Sequence, residues 1–176
     1  AELLASEEPR SASGPAASQR ATLTVAGSRN ERTLAQLTRL CEDTETERVT
    51  VASRNWYRAD QEIERLYAAC ETILQTDCDL LVEASTAPLI AGGGERLADI
   101  LAHVTARLTR SYPLTGIIAT GGDIALAVCQ VLDAEAIEII QPLQPGIPGG
   151  RLIGGSADGL WIVTKAGGFG SDRALV

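Results

Sequence analysis

The sequence predicts an α/β fold: three layers, with a mostly parallel sheet, helices on both faces, and extra strands in the C-terminal third. Two observations predict it. From Ala21 to Leu132, short apolar runs alternate with segments whose apolar residues recur at helical spacing, the pattern of parallel strands joined by crossover helices. From Ala136 onward the alternation stops, and apolar runs are separated by Gly- and Pro-rich turns too short to hold a long helix. A length of 176 residues fits one domain with a core large enough to be stable unaided. With 45% hydrophobic but only 3% aromatic residues, that core has to be aliphatic and Ala-rich.

Residues 1–20 are rich in Ala, Ser, Glu and Pro without periodicity and read as a flexible linker or lead-in. The chain has no Met, not even at position 1, which predicts a piece of something longer, with 21–176 as its folded domain. Ala21–Val25 reads as the first strand. A helix follows over about Glu31–Cys41, with Leu34, Leu37 and Cys41 on one face. Glu42–Glu47 is an acidic, Thr-rich loop, and Val49–Ala52 a second strand. The next helix, about Asp60–Gln75, places Ile63, Leu66, Tyr67, Cys70 and Ile73 on one stripe. Asp79–Glu83 is a third strand, and Ser85–Gly94 a loop with Pro88 and three consecutive glycines. A helix over about Glu95–Arg110 turns Leu97, Ile100, Leu101, Val104 and Leu108 inward. Gly116–Ala119 is a fourth strand, followed by a helix marked by Ile124, Val128, Val131 and Leu132. Ala136–Leu143 and Leu160–Thr164 read as strands; the Gly/Pro-rich stretches between them fit turns and strand edges.

The net charge of −8 argues against non-specific binding to nucleic acid or to an anionic membrane. No apolar run approaches the ~20 residues of a membrane span, and no signal peptide is legible. Cys41, Cys70, Cys78 and Cys129 are scattered without paired spacing, as expected of free thiols in a reducing cytoplasm.

Three Gly-rich turns follow apolar strands: Ala26-Gly27-Ser28, Thr120-Gly121-Gly122-Asp123 and Ala166-Gly167-Gly168-Phe169-Gly170. In a doubly wound sheet such turns converge on the carboxyl edge, where ligands bind. The first turn of a helix offers unpaired N–H groups and a positive dipole end. Glycines remove the Cβ atoms that would keep an anion away, so a phosphate cradle is expected. The plainer alternative for the central turn is a tight turn with Asp123 as N-cap. Asp123 next to a phosphate could instead hold Mg²⁺, directly or through water. Lys165 is the only lysine among 15 basic residues. It either reaches a phosphate with a compact ammonium or is a solvated strand end. Phe169, the only Phe, either lines a base pocket or plugs the core. GxxxxGK[ST] and GxGxxG are both absent, which excludes a P-loop and weakens a dinucleotide fold.

Ala26-Gly27-Ser28, then Thr33 and Gln36, Thr120–Asp123, Pro145-Gly146-Ile147-Pro148-Gly149 and Thr164–Gly170, in that order, resemble the C-terminal nucleotide-binding domain of the four-carbon acid sugar kinase family. The resemblance covers roughly Ala21 to Val176. It implies a two-domain ATP-dependent kinase. An N-terminal domain would bind a four-carbon sugar acid such as threonate, erythronate or a 3-oxo-tetronate. The C-terminal domain would bind ATP, and the terminal hydroxyl of the substrate would receive the γ-phosphate. Ser28, Thr120, Gly121, Gly122, Asp123 and Gly168 would then contact ATP, with Lys165, Gly167 and Gly170 in the same C-terminal turn. Gly146 would shape the cleft. The substrate domain is missing, so the chain alone is expected to bind nucleotide without completing the reaction, and no catalytic base is assignable. An exposed face left by that domain could support a homodimer. The chain departs from the family at Ala26 and Ala166, where Ser is usual, and at Ile124, where Thr or Ser is usual. Three lost hydroxyls leave open a second expectation, a nucleotide- or phosphate-binding module without catalysis.

Overall fold

The computed structural model describes residues 21–52, 57–76, 78–87 and 93–176. The predicted lead-in, Trp56, Pro88 and Gly92 lie outside the described residues. The elements are β1 (Thr22–Ala26), α1 (Glu31–Asp43), β2 (Thr46–Thr50), α2 (Ala59–Leu74), β3 (Asp79–Glu83), α3 (Gly93–Ser111), β4 (Gly116–Thr120), α4 (Gly122–Val131), β5 (Ala136–Gln144), β6 (Ile147–Ile153) and β7 (Trp161–Lys165).

Seven strands form one sheet in the order β2-β3-β1-β4-β7-β6-β5. The first five in that order run parallel, and β6 and β5 close the edge as an antiparallel hairpin. The fold is therefore the α/β class expected. Alternation along each strand sorts its side chains between two faces. Leu23, Val25, Leu80, Val82, Ile117, Ala119 and Ile162 join the large cluster with buried residues of α2, α3 and α4. Ala26 and Leu81 face the other way, against Leu37 and Leu40 of α1 and Leu175 near the C-terminus. Each fully buried leucine of this kind contributes about 2 kcal/mol. Ile100, Leu101, Val104 and Leu108 of α3 are buried as their spacing predicts.

Three differences from the sequence reading have physical causes. The buried face of α1 is Thr33, Gln36, Leu37 and Leu40, while Leu34 and Cys41 are only partly buried. The polar pair is turned inward because both side chains bind the C-terminal turn. The second strand begins at Thr46, inside the stretch read as an acidic loop, because β2 aligns Thr46 with Asp79 of β3. The third difference is β6, a strand where turns and strand edges were expected. Its glycines are what let it pair. A Cβ at Gly150 would lie 2.2 Å from the carbonyl oxygen of Glu138, and one at Gly149 would lie 2.8 Å from the Trp161 ring.

Two side chains anchor the helix starts. Asn30 caps α1, its Oδ1 accepting the Arg32 N–H at 3.0 Å. Glu62, buried in the first turn of α2, accepts the Ala52 N–H at 2.6 Å and pairs with Arg65 at 2.5 Å. Cys41, Cys70, Cys78 and Cys129 are free thiols. Burial pushes the Cys70 thiol up to about 12, so it stays neutral. No helix of the described residues is long and apolar enough to cross a membrane.

Candidate functional site

The chain leaves β1 for α1 on one face of the sheet and leaves β4 for α4 on the other. Adjacent strands whose exits diverge in this way open a crevice at their carboxyl ends, the point where ligands bind in open α/β sheets. The first two glycine turns sit there. Gly27 donates to the carbonyl of Thr120 at 3.2 Å, and Gly121 to that of Lys165 at 2.9 Å, so all three turns start from one hydrogen-bonded edge.

A cleft of about 380 Å³ opens at this edge. It is lined by Gly27, Ser28 and Arg29 from the first turn, Gly121, Gly122 and Asp123 from the second, and Gly167 from the third. A second groove of about 260 Å³ shares Gly121 and Gly122 and continues along Gly146, Thr164, Lys165 and Ala166. The turns approach closely because they lack side chains. A Cβ at Gly167 would stand 2.4 Å from Ser28 Oγ, and one at Gly27 would stand 2.6 Å from Ile124 Cδ1. At Gly122 and Gly168 an added Cβ meets nothing nearer than 3.8 Å, so these two glycines border open space.

Gly121 is the N-cap of α4 with φ 106°, a backbone conformation that side chains avoid. This overturns the reading of Asp123 as N-cap. Asp123 instead lies exposed in the first turn, where the helix dipole favours an acid. No cluster of three or more metal-ligating side chains forms among the described residues, so a Mg²⁺ at Asp123 would take its other ligands from phosphate and water.

Two expected contacts do not reach the cleft. Thr120 is fully buried on the α1 face, its hydroxyl without a partner. Gly170 (φ 86°) packs where a Cβ would lie 2.6 Å from Ala174 and 2.7 Å from Ile147. Gly146 (φ 74°) turns the β5–β6 hairpin under the Phe169 ring, which a Cβ there would meet at 2.2 Å. Phe169 is half exposed and does not plug the core. Of the three departures, Ala26 is buried in the core away from the cleft, Ile124 walls the cleft against Gly27, and Ala166 borders the second groove.

Lys165 is buried, with only 1% of its surface exposed. Its ammonium donates to Thr33 Oγ1 at 3.1 Å and to the carbonyls of Ala166 and Gly167, each at 3.3 Å. Burial, reinforced by the charge of Arg32, pulls it below the ordinary lysine range. Sequence reasoning gave no role to five participants, Arg29, Thr33, Gln36, Gly93 and Gly94. Arg29 donates through both terminal nitrogens to the Ala87 carbonyl and so ties the first turn to the segment after β3. Gly93 and Gly94, read as loop, start α3 at the rim of the cleft. Gln36, named only as part of a motif, holds the third turn. A buried polar pair on a helix with otherwise apolar inward positions is the signal that would have found Thr33 and Gln36.

The family model described as nucleotide-binding C-terminal domain matches residues 23–175. A D-threonate kinase of Bordetella bronchiseptica is 37% identical over 123 residues, 70% of this chain and 29% of that protein. A D-erythronate kinase of Heliobacterium modesticaldum is 37% identical over 81 residues, 45% of this chain and 18% of that protein. The chain is a C-terminal nucleotide-binding domain of the four-carbon acid sugar kinase family. Among solved structures, a Bordetella bronchiseptica domain of unknown function, a domain-swapped dimer with bound citrate, superposes with TM-score 0.75 and 30% identity over 88% of this chain and 39% of that one. A Haemophilus influenzae protein at 20% identity shares the fold, with TM-score 0.71 over 87% of this chain and 38% of that one. This nucleotide-binding domain thus spans less than a third of the kinases it matches and about two-fifths of the solved chains.

Proposed function

We propose that this domain binds ATP for a kinase that phosphorylates a four-carbon acid sugar of the threonate, erythronate or 3-oxo-tetronate type at its terminal hydroxyl. One observation carries the reading: in a chain of this family, three glycine turns from distant parts of the sequence meet around a single cleft at the switch point of the sheet. Ser28, Gly122, Gly167 and Gly168 would offer backbone N–H groups and a hydroxyl to the phosphates, Gly121 would leave room beside them, and Asp123 would hold Mg²⁺. The open space at Gly122 and Gly168 fits such a ligand. In the transfer the substrate hydroxyl oxygen bonds to the γ-phosphorus, the bond to the β–γ bridging oxygen breaks, and ADP leaves. Such catalysis is largely positioning and charge stabilisation. The sugar acid and its base would be held mainly by the rest of the protein, so this chain alone would bind without turning over. The place of such an ATP-dependent enzyme is the cytoplasm, and the domain-swapped relative favours a homodimer.

A second reading, a phosphate- or nucleotide-binding module without catalysis, is favoured by Ile124 and Ala166, which remove two hydroxyls from the groove walls. Calorimetric titration with ATP, ADP, AMP and NAD⁺, with and without Mg²⁺, tests the proposal. ATP and ADP should bind, Mg²⁺ should tighten ATP, and AMP and NAD⁺ should bind weakly. Joining the rest of the parent protein should then give transfer to a four-carbon sugar acid. Tight ATP binding without transfer in the joined protein would select the second reading, equal affinity for all four nucleotides would sink the first, and failure of the joined protein to bind any of them or inorganic phosphate would sink both.

A further inference from the structure

We infer that Lys165 is a positioning residue: with Thr33 it draws the carbonyls of the Ala166–Gly170 turn inward, so that the turn presents amide N–H groups to an anion. The inference rests on the nucleotide reading above and gives Lys165 a different place from a phosphate ligand.

The hydrogen bonds supply the argument. The ammonium of Lys165 takes the carbonyls of Ala166 and Gly167, and the Thr33 hydroxyl donates to Gly167 at 2.6 Å. Gln36 Nε2 donates to the carbonyls of Phe169 at 3.2 Å and Ser171 at 2.6 Å, and Arg32 to that of Gly170 at 3.0 Å. Every one of these donors comes from α1 or from the end of β7, beneath the turn. In a trans peptide the C=O and the following N–H point in opposite directions. Drawing in the carbonyls of Ala166 and Gly167 therefore sends the N–H groups of Gly167 and Gly168 the other way. Those two amides have no acceptor among the described residues. Gly168 is exposed, and Gly167 lines the cleft opposite Ser28.

The electrostatics agree. A glycine turn carries as many carbonyls as amides, and an anion is repelled by the former. Without the ammonium beneath it, the Ala166 carbonyl keeps only the Phe169 N–H and the Gly167 carbonyl only the Thr33 hydroxyl, so both are held inward less firmly. A lysine suits the place because a compact ammonium can donate to three acceptors around one point, which a planar guanidinium cannot. This explains why a chain that otherwise uses arginine keeps one lysine here.

The test compares wild type with Lys165→Met and Thr33→Val. Titration with ATP, ADP and inorganic pyrophosphate gives one readout. Amide proton and nitrogen shifts of Gly167 and Gly168 in the ligand-free protein give the other. Lys165→Met should weaken all three ligands by a common factor of about tenfold. Thr33→Val should weaken them severalfold in the same proportion, and both variants should move the two amide signals. A fall in the ATP-to-ADP affinity ratio in Lys165→Met, with Thr33→Val unchanged, would make Lys165 a direct ligand and overturn the inference. Should wild type bind none of the three, the nucleotide reading fails, and the amide shifts decide alone: unmoved signals in Lys165→Met reject the positioning role, and moved signals uphold it. Should Lys165→Met fail to fold, Thr33→Val decides by the same two readouts.

Discussion

Glycine serves two separate purposes around the cleft, and the sequence does not distinguish them. Gly121 is required by its backbone, whose φ of 106° disfavours any side chain. Gly122 and Gly168 have ordinary φ values and border open space. Gly122→Val and Gly168→Val should therefore keep the fold and, under the proposed function, lose ATP affinity, because the added side chain would fill the open space proposed for a phosphate. Gly121→Val should instead destabilise the fold by about 1–3 kcal/mol through backbone strain. Urea denaturation with parallel ATP titration separates the cases. Unchanged ATP affinity in both Gly122→Val and Gly168→Val would remove the cradle assignment. The glycine pattern, the lone lysine and Asp123 were legible because their residue types are rare or chemically distinctive. The burial of Thr120 and the packing of Gly170 were not, since neither spacing nor type tells which side of a turn a residue takes. Lys165 was noticed for a sound reason, its isolation among arginines, but its direction depends on Thr33, 132 positions away.

Among the elements, the helices and parallel strands were readable because each has a period that a buried face imposes. The hairpin strand β6 was hidden by its own composition. Ile147-Pro148-Gly149-Gly150 has the chemistry of a turn, yet Gly149 and Gly150 pair with β7 and leave room for Trp161 and for the Glu138 backbone. These glycines answer to neighbours on adjacent strands, which one strand's pattern cannot reveal. Gly150→Ala should cost about 1–3 kcal/mol of stability, because its Cβ would overlap a carbonyl oxygen that cannot move without breaking the β5–β6 ladder. Gly94→Ala is the matching control. It sits in the first turn of α3 with nothing within 4 Å, and should leave stability unchanged or slightly raised. Equal destabilisation of the two would mean that crowding by Glu138 is not what requires glycine in β6.

Over the whole molecule, the cleft joins turns that start at residues 26, 120 and 165. Fold and site are then thermodynamically linked, since an unfolded chain cannot bring three such turns together. The parallel sheet followed from the alternation of periods, so the edge on which the glycine turns gather was legible, whereas the strand order that puts the switch point between β1 and β4 was not. The site's closure by α1 donors was not, because it depends on contacts between the first helix and the last strand. The linkage has a measurable size. A ligand that binds only the folded state at a hundred times its dissociation constant adds about 2.7 kcal/mol. For a domain of this length that corresponds to a rise in Tm of about 5–10 °C. ATP with Mg²⁺ should give such a rise, ADP a similar one, and NAD⁺ little. Under the positioning role of Lys165, Lys165→Met at the same ATP concentration should lose about half of the shift, because a tenfold weaker site retains about half of the binding free energy available at that excess. A full shift in Lys165→Met together with a full shift in Gly168→Val would show that ATP stabilises the domain from somewhere other than the three turns.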